Sequence, residues 1–290
     1  TLPLIMIPST AGTGAEITVC AVINNEHGVK SSTVLIGLNV NHVVLDSELT
    51  VNAPQSVTAA CGIDALSHCI EGTVSDTEVD EEDMHLSMEG VRLILQNLPR
   101  VMNEPHDVEA RLALCRAAMY GGNAINTQLA GYVHAFAHSI GAYYHLPHGK
   151  AISIMLLPIL EFQKEACQSQ YDKLAQYCGV PDFLQAVRDL LRDCGMDNIQ
   201  SPVRTYDHEK LIPMIAADSI NYSAPVTLKN SDIRQILSTI TQAYADHDKQ
   251  YTEASISAIV EAQRRFFRTG TTLPVSWRLA QLQRLKEAVL

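Results

Sequence analysis

The chain has 290 residues, of which 47% are hydrophobic and 18% charged, so it can bury one large core or two modest ones. Its net charge of −11, which no basic stripe offsets, argues against a nucleic-acid partner. No run of roughly 18 or more apolar residues is present, so no membrane-spanning helix is expected.

The cysteines and the first residues indicate the cellular compartment. Seven cysteines form no CxxC pair, and their odd number argues against a disulfide framework. The opening stretch TLPLIMIPST lacks the basic region and the cleavage site of a signal peptide, and its apolar pattern predicts a buried strand. We therefore expect a protein of the reducing cytoplasm.

Residues 1–46 have the pattern of a β-rich segment. Three apolar runs, PLIMIPS, TVCAVIN and HVVLD, are short enough to be strands. Between the first two runs lies STAGTGAE, whose small residues indicate a tight turn between strands.

From Ala53 onward the pattern becomes helical. Apolar residues repeat at helical spacing from Met84 to Leu98, and this helix is expected to stop at Pro99. The sequence Gly121-Gly122-Asn123 is expected to lie between two helices. Further helices are predicted near residues 107–120, 124–142, 150–162, 170–178, 182–193, 209–217 and 231–244.

The charge balance changes near the C-terminus. Residues 251–290 hold six basic and three acidic side chains, a net of +3, so the other 250 residues carry −14. This change predicts a domain boundary near the polar stretch 245–251. Residues 252–290 have the pattern of two amphipathic helices around a turn, and the simplest interpretation is a helical hairpin docked on the core.

Two segments concentrate residues that can bind a metal. Asp64 and His68 stand four apart in CGIDALSHCIE, so a helix would present both on one face. Such a pair is weak evidence by itself, because similar pairs are common on helix surfaces. The second segment, GYVHAFAHSIGAYYHLPHGK, sets four histidines among apolar residues, which suits a metal but also suits hydrogen-bonded core histidines: His134, His138, His145 and His148.

Three blocks together resemble a known family. GIDALSHCIE, HAFAHSIGAYYHLPHG and STAGTGAE are similar, in order and spacing, to signature blocks of the iron-containing (group III) alcohol dehydrogenases, and the likeness runs from about Pro3 to about Tyr244. The resemblance implies an α/β remnant followed by an all-α metal-binding domain. This is the dehydroquinate synthase-like architecture of iron alcohol dehydrogenases, incomplete at its N-terminus.

The resemblance also implies roles for single residues. His138 corresponds to a histidine near the substrate that helps to pass the proton. His145 has no counterpart and is expected to be a loop residue, while Gly149 is expected to allow a sharp turn after His148. The implied metal ligands are Asp64, His68, His134 and His148, with Fe²⁺ as the family's usual ion and Zn²⁺ as the alternative.

On the nucleotide side, the resemblance places the STAGTG stretch against NAD or NADP. Its hydroxyls and a nearby lysine can donate to phosphate. The implied cofactor contacts are Ser9, Thr10, Thr13 and Lys30, and Ser9 departs from the family's usual threonine while keeping the hydroxyl.

Two features depart from the family pattern. Nothing in the sequence matches the family's glycine-rich pyrophosphate loop, so the chain alone is expected to bind one metal ion but to hold NAD(H) too weakly for turnover. Residues 252–290 resemble the N-terminal opening of an aldehyde dehydrogenase, which would make the chain a slice across a fusion.

We therefore expect a metal-dependent oxidoreductase that transfers a hydride between a small alcohol or aldehyde and NAD(P), with no nucleic-acid or membrane partner and with homo-oligomerisation left open. One alternative is a metal-binding helical fragment without turnover; another is a related metal-dependent lyase or glycerol-type dehydrogenase. The expected domains are residues 1–52 (end of the nucleotide-binding domain), 53–247 (helical metal-binding domain) and 248–290 (helical extension).

Overall fold

A computed structural model describes residues 3–24, 30–34, 40–241 and 261, with residues 20–24 and 30–34 described as backbone only. Contacts divide the chain into two units, residues 1–242 and 243–290, and only the first is described beyond a single residue. The predicted helices of residues 252–290 and their resemblance to an aldehyde dehydrogenase therefore lie outside the described residues. They stay predictions, as do the three domain boundaries.

The N-terminal segment contains four short strands within its described residues. Each of the three apolar runs contributes one strand, and one further strand follows the second run. The first of these strands is not buried as predicted, since Ile5 is 54% exposed. β1 pairs with β4 in parallel, and β2 pairs with β3 in an antiparallel ladder. The strands are β1 (Ile5–Met6), β2 (Cys20–Asn24), β3 (Lys30–Val34) and β4 (His42–Val43).

Helices make up most of the rest of the described chain. Their buried residues form one large core, the first of the two possibilities that the composition allows. None of the described helices is long and apolar enough to cross a membrane. They are α1 (Gln55–Val74), α2 (Glu81–Asn103), α3 (Val108–Gln128), α4 (Tyr132–Tyr144), α5 (His148–Phe162), α6 (Lys164–Cys178), α7 (Phe183–Asp193), α8 (His208–Ser219) and α9 (Asn230–Ile240).

Helix α1 runs through the centre of this core. It packs against α2, α3 and α5, and every residue from Ile63 to Val74 is buried. Large side chains such as Leu66 and Ile70 are fully inaccessible to solvent, and burial of each contributes about 1.5–3 kcal/mol. Any polar side chain on this part of α1 is therefore carried into the core and must find a partner there.

The prediction of a break at Gly121-Gly122 is wrong, because α3 continues unbroken from Val108 to Gln128. These glycines serve close packing. A Cβ at Gly121 would lie 3.0 Å from the Cβ of His68, and a Cβ at Gly122 would lie 2.5 Å from the carbonyl oxygen of Gly14. The pair therefore lets α3 approach both α1 and the STAGTGAE segment.

The prediction that a helix stops at Pro99 is also wrong, because α2 continues to Asn103. A proline inside a helix removes one backbone hydrogen bond. Here Leu98 and Val101, on either side of the proline, are buried in the core at 0% and 1% exposure. Their burial offsets the missing bond and keeps the last turn helical.

Candidate metal centre

Asp64 and His68 lie on consecutive turns of α1 and point to the same side, as their spacing predicts. Their relative exposures are 3% and 5%, so the pair is not the surface ion pair that this spacing most often gives. A buried carboxylate needs compensation by charge or hydrogen bonds, so it requires other partners nearby.

Those partners come from α4 and α5. His134 lies in the first turn of α4 and is 3% exposed. His148 is the first residue of α5, and its side chain is 29% exposed. Three helices thus converge on Asp64, and His148 forms the side of the cluster that is open to solvent.

The distances within the cluster fit a single metal ion. The Nε2 atoms of His148, His134 and His68 lie 3.2, 3.7 and 3.9 Å from Oδ1 of Asp64. Ligand atoms at about 2.1 Å from a tetrahedral ion are about 3.4 Å from one another. Asp64, His68 and His134 each have a ligand atom within 4.8 Å of those of the other two, so small shifts would bring these three to one ion. His148 lies outside that group and approaches it at Asp64.

Hydrogen bonding gives an independent reason to expect a cation. Oδ1 of Asp64 and Nε2 of His134 are buried and have no hydrogen-bond partner among the described residues. Leaving such an atom unsatisfied costs about 1–3 kcal/mol. A divalent ion bound by these atoms would remove that cost, and three imidazoles with one carboxylate are a ligand set that suits Fe²⁺ or Zn²⁺.

The electrostatics of the cluster are those of a site for positive charge. Burial alone would raise the pKa of Asp64, but the neighbouring imidazoles, His68 first, hold it well below its ordinary value. Burial lowers the pKa of His68 to about 3, so this imidazole is neutral. Burial opposes a charge on His134 too, but Glu71 and Asp64 raise its pKa to about 10. A cation bound here would replace the proton on Nε2 of His134.

His138 lies beside the cluster, one turn after His134 on α4. Its ring centroid is 5.1 Å from that of His148, and the two rings are stacked. Nδ1 of His138 is 2.7 Å from the Tyr222 hydroxyl and 3.8 Å from a carboxylate oxygen of Asp218. The imidazole is thus anchored through Nδ1 beyond the four clustered side chains.

The sharp turn predicted after His148, at Gly149, is not present, because α5 begins at His148 and continues through Gly149. Gly149 is not a turn residue: it lies in α5, and a Cβ there would be 2.7 Å from the Cβ of Ala60. This glycine lets the start of α5 approach α1. The change of direction occurs at His145, which ends α4 in the left-handed conformation with φ 55°.

The STAGTGAE segment packs against the helices of the centre. A Cβ at Gly12 would meet the Cβ of Cys61 at 2.9 Å, one turn before Asp64 on α1. Ser9, Thr10 and Thr13 are exposed.

The same three residues were predicted to be cofactor contacts. Thr10 lines a cleft together with Cys61 and Arg111, whereas the Thr13 hydroxyl accepts a hydrogen bond from the Ala15 amide at 3.2 Å. The side chain of Lys30 lies outside the described part of the chain.

Two partners of the cluster were missed in the sequence. Glu71 follows Asp64 by seven positions and His68 by three, so helical spacing alone could have placed it on the same face. Tyr222 gives no such signal, because it is 84 residues from His138 and lies in the segment after α8.

Comparison with known proteins gives consistent matches. Residues 58–241 match the family model described as "Fe-containing alcohol dehydrogenase family, C-terminal". The chain is similar to the probable alcohol dehydrogenase EutG of Escherichia coli, with 33% identity over 201 residues that cover 67% of this chain and 51% of that protein. It is 32% identical to alcohol dehydrogenase 4 of Saccharomyces cerevisiae over 254 residues, which cover 84% of this chain and 65% of the yeast protein.

Solved structures give the same result. A crystal structure of 1,3-propanediol oxidoreductase superposes with a TM-score of 0.76 at 26% identity, covering 82% of this chain and 66% of the other. Sulfoacetaldehyde reductase from Bifidobacterium kashiwanohense, solved in complex with NAD⁺, gives a TM-score of 0.76 at 26% identity, covering 83% and 65%. The chain thus spans between about half and two thirds of the length of these relatives.

Proposed function

The chain belongs to the iron-containing alcohol dehydrogenase family, and from that premise we propose that it supplies the metal-bearing side of an alcohol or aldehyde oxidoreductase. The proposed reaction moves a hydride between a small alcohol or aldehyde and NAD or NADP. The proposed ion is Fe²⁺, with Zn²⁺ as the alternative.

One observation carries this proposal. Oδ1 of Asp64 is buried and has three imidazole nitrogens within 3.9 Å. They belong to His68 on α1, His134 on α4 and His148 on α5. If these positions served only to pack the core, apolar side chains would make the fold more stable, because each buried polar group must be compensated. The arrangement is therefore better explained by a bound cation.

The open side of the cluster suits a small oxygen-bearing substrate. When bound, the ion would act as a Lewis acid that polarises the substrate oxygen. The protein's own part is to exclude water from the other sides, through the buried Asp64, His68 and His134. His148 is the most exposed of the four, so substrate is proposed to approach beside it.

His138 is proposed to accept or donate the proton of this reaction. An imidazole changes protonation near neutral pH and so can accept or donate a proton under working conditions. The Tyr222 hydroxyl, 2.7 Å from Nδ1, fixes the orientation of the ring. Asp218 lies 3.5 Å beyond the Tyr222 hydroxyl and extends this polar chain away from the cluster.

The proposal also includes contacts to the cofactor. Ser9, Thr10 and Thr13 are exposed hydroxyl residues in a segment packed on α1, and together with Lys30 they could donate to the phosphates of NAD(P). The alternative of a metal-binding segment without chemistry is not favoured, since the curated relatives named above are alcohol dehydrogenases.

Alcohol binding at the metal directly tests the proposal that the metal centre binds the substrate oxygen. The purified chain is loaded with one equivalent of Co²⁺, whose visible absorption reports its ligands, and titrated with 1-propanol. We expect a saturable change of the spectrum with the alcohol and none with methyl propyl ether, which has no hydroxyl proton to lose. A Co²⁺ spectrum indifferent to alcohols and aldehydes would overturn the proposed reaction and leave only a metal-binding segment.

His138→Ala separates proton handling from metal binding. We expect stoichiometric metal to be retained, because the candidate ligand group of Asp64, His68 and His134 does not include His138. Turnover, measured in an enzyme that holds NAD(P) as well as the metal, should fall by about 10²–10⁴-fold, the usual contribution of a general acid or base. The control is His106→Ala, an exposed histidine in the turn between α2 and α3. Loss of the metal in His138→Ala would mean that His138 is itself a ligand.

A further inference from the structure

Glu71 is a second buried carboxylate at the edge of the metal centre. It lies on α1, on the face that carries Asp64 and His68, and is 2% exposed. A carboxylate so completely removed from water is costly unless both of its oxygens are engaged. Both are engaged here, and by different parts of α4.

One oxygen of Glu71 caps α4. The helix begins after Gly131, which has no side chain to cap it. Oε1 of Glu71 accepts a hydrogen bond from the Val133 amide at 2.7 Å and a longer one, at 3.4 Å, from the amide of His134. The Glu71 carboxylate on α1 thus caps the N-terminus of α4, a role that a side chain at position 131 would otherwise have.

The other oxygen engages a side chain. Oε2 of Glu71 pairs with Nδ1 of His134, and the opposite nitrogen, Nε2, lies 3.7 Å from Oδ1 of Asp64. A capping role alone would require only Oε1. The contact of Oε2 therefore joins Glu71 to an imidazole whose other nitrogen faces Asp64.

Gly131 provides the space for this arrangement. A Cβ at position 131 would lie 2.9 Å from Oε1 and 3.2 Å from Cγ of Glu71. An alanine there would push the carboxylate away from α4 without altering any ligand or any charge.

We propose that Glu71 is a positioning residue of the metal centre: its carboxylate holds the proton of His134 on Nδ1 and so presents the Nε2 lone pair of His134 to the ion. The inference rests on the proposed metal centre. An imidazole can bind a metal only through an unprotonated nitrogen, and a carboxylate on the other nitrogen fixes both the tautomer and the ring orientation. Since Glu71 and Asp64 are on one helix, α1 controls both sides of the same imidazole.

Glu71→Gln tests this proposal with almost no change of shape. The amide oxygen can still cap α4, but the amide nitrogen then donates to Nδ1 of His134 and moves the imidazole proton to Nε2. We expect the affinity of the chain for Co²⁺, measured by equilibrium dialysis, to fall by about 10–100-fold. The visible spectrum of the saturated variant should also differ from that of the wild type, because one nitrogen ligand is lost or misdirected.

Gly131→Ala distinguishes position from charge. The variant keeps the negative charge of Glu71 but displaces its carboxylate from His134. We expect the same spectral change and an affinity loss of about tenfold, the low end of the range for such supporting groups. The control for loss of a helix cap is Asp182→Ala, which removes the side chain that caps α7 through the Gln185 amide. It should lower the melting temperature and leave Co²⁺ binding unchanged.

The outcomes separate cleanly. Wild-type affinity in Glu71→Gln would overturn the inference. So would reduced affinity in Glu71→Gln with wild-type affinity in Gly131→Ala, or with a wild-type spectrum, since Glu71 would then act only as a distant charge. A wild-type chain that binds no Co²⁺ would contradict the metal centre itself.

Discussion

His148→Asn should lower the affinity of the chain for Zn²⁺ or Co²⁺ by at least about a hundredfold. Structural Zn²⁺ sites with four protein ligands in zinc-finger peptides contribute about 10–16 kcal/mol of binding free energy, or about 3 kcal/mol per ligand. At 1.4 kcal/mol per factor of ten, the loss of one ligand is worth about two decades. His148 is the most exposed of the four side chains, so its replacement should disturb the core least. Isothermal titration calorimetry measures the effect.

The matched control is His145→Asn, three residues earlier in the same segment. His145 has a left-handed backbone with φ 55°, a conformation that asparagine adopts more readily than most residues. We therefore expect unchanged metal affinity and unchanged stability. If the two variants bound metal equally well, His148 could not be a ligand.

Gly14→Ala should destabilise the chain strongly. Gly14 has φ +63°, and a Cβ there would lie 2.5 Å from the carbonyl oxygen of Ala118 and 2.6 Å from the backbone nitrogen of Gly122. Left-handed backbone costs an alanine about 1–2 kcal/mol, and forced overpacking adds about 1–3 kcal/mol. A combined loss of about 3 kcal/mol corresponds to a fall in melting temperature of about 6–12 °C.

Gly179→Ala isolates the packing part of this effect. Gly179 ends α6 with φ +70°, but no atom lies within 4 Å of the position its Cβ would take. This variant carries the backbone strain without the contact, so it should cost only about 1–2 kcal/mol. Equal melting temperatures for the two variants would show that the STAGTGAE segment does not pack closely against α3 at Gly14.

Sequence spacing could group part of the candidate site, whereas it misplaced two helix boundaries. Asp64 and His68 could be grouped from their spacing alone, because four residues bring side chains to one face of any helix. His134 and His148 could not be joined to them by spacing, since the contact between α1, α4 and α5 is tertiary. The family resemblance supplied that connection.

The errors have a common physical cause. Gly121-Gly122 was taken for a break and Pro99 for a stop because both residue types weaken an isolated helix. In the folded chain, the missing Cβ atoms are what allow α3 to approach its neighbours, and buried leucine and valine side chains hold the end of α2. Tertiary packing outweighs local propensity at both positions.

Glu71 shows a different limit of sequence reasoning. Its spacing marks it as a neighbour of Asp64 and His68, but an acid on a helix is most often exposed. Only the packing of α4 against α1 reveals that it is buried and that it contacts His134. A candidate ligand can thus be named from the sequence before the residue that is proposed to orient it.

The coordination shell of the bound ion tests the central claim most directly. Crystals of the chain grown with Zn²⁺, and measured at the zinc absorption edge, locate the ion by its anomalous signal. We predict one ion per chain, at about 2.0–2.2 Å from an oxygen of Asp64 and from Nε2 of His68, His134 and His148. A zinc ion bound away from Asp64, or a chain saturated with Zn²⁺ in solution whose crystals hold no ion among these four side chains, would contradict the account.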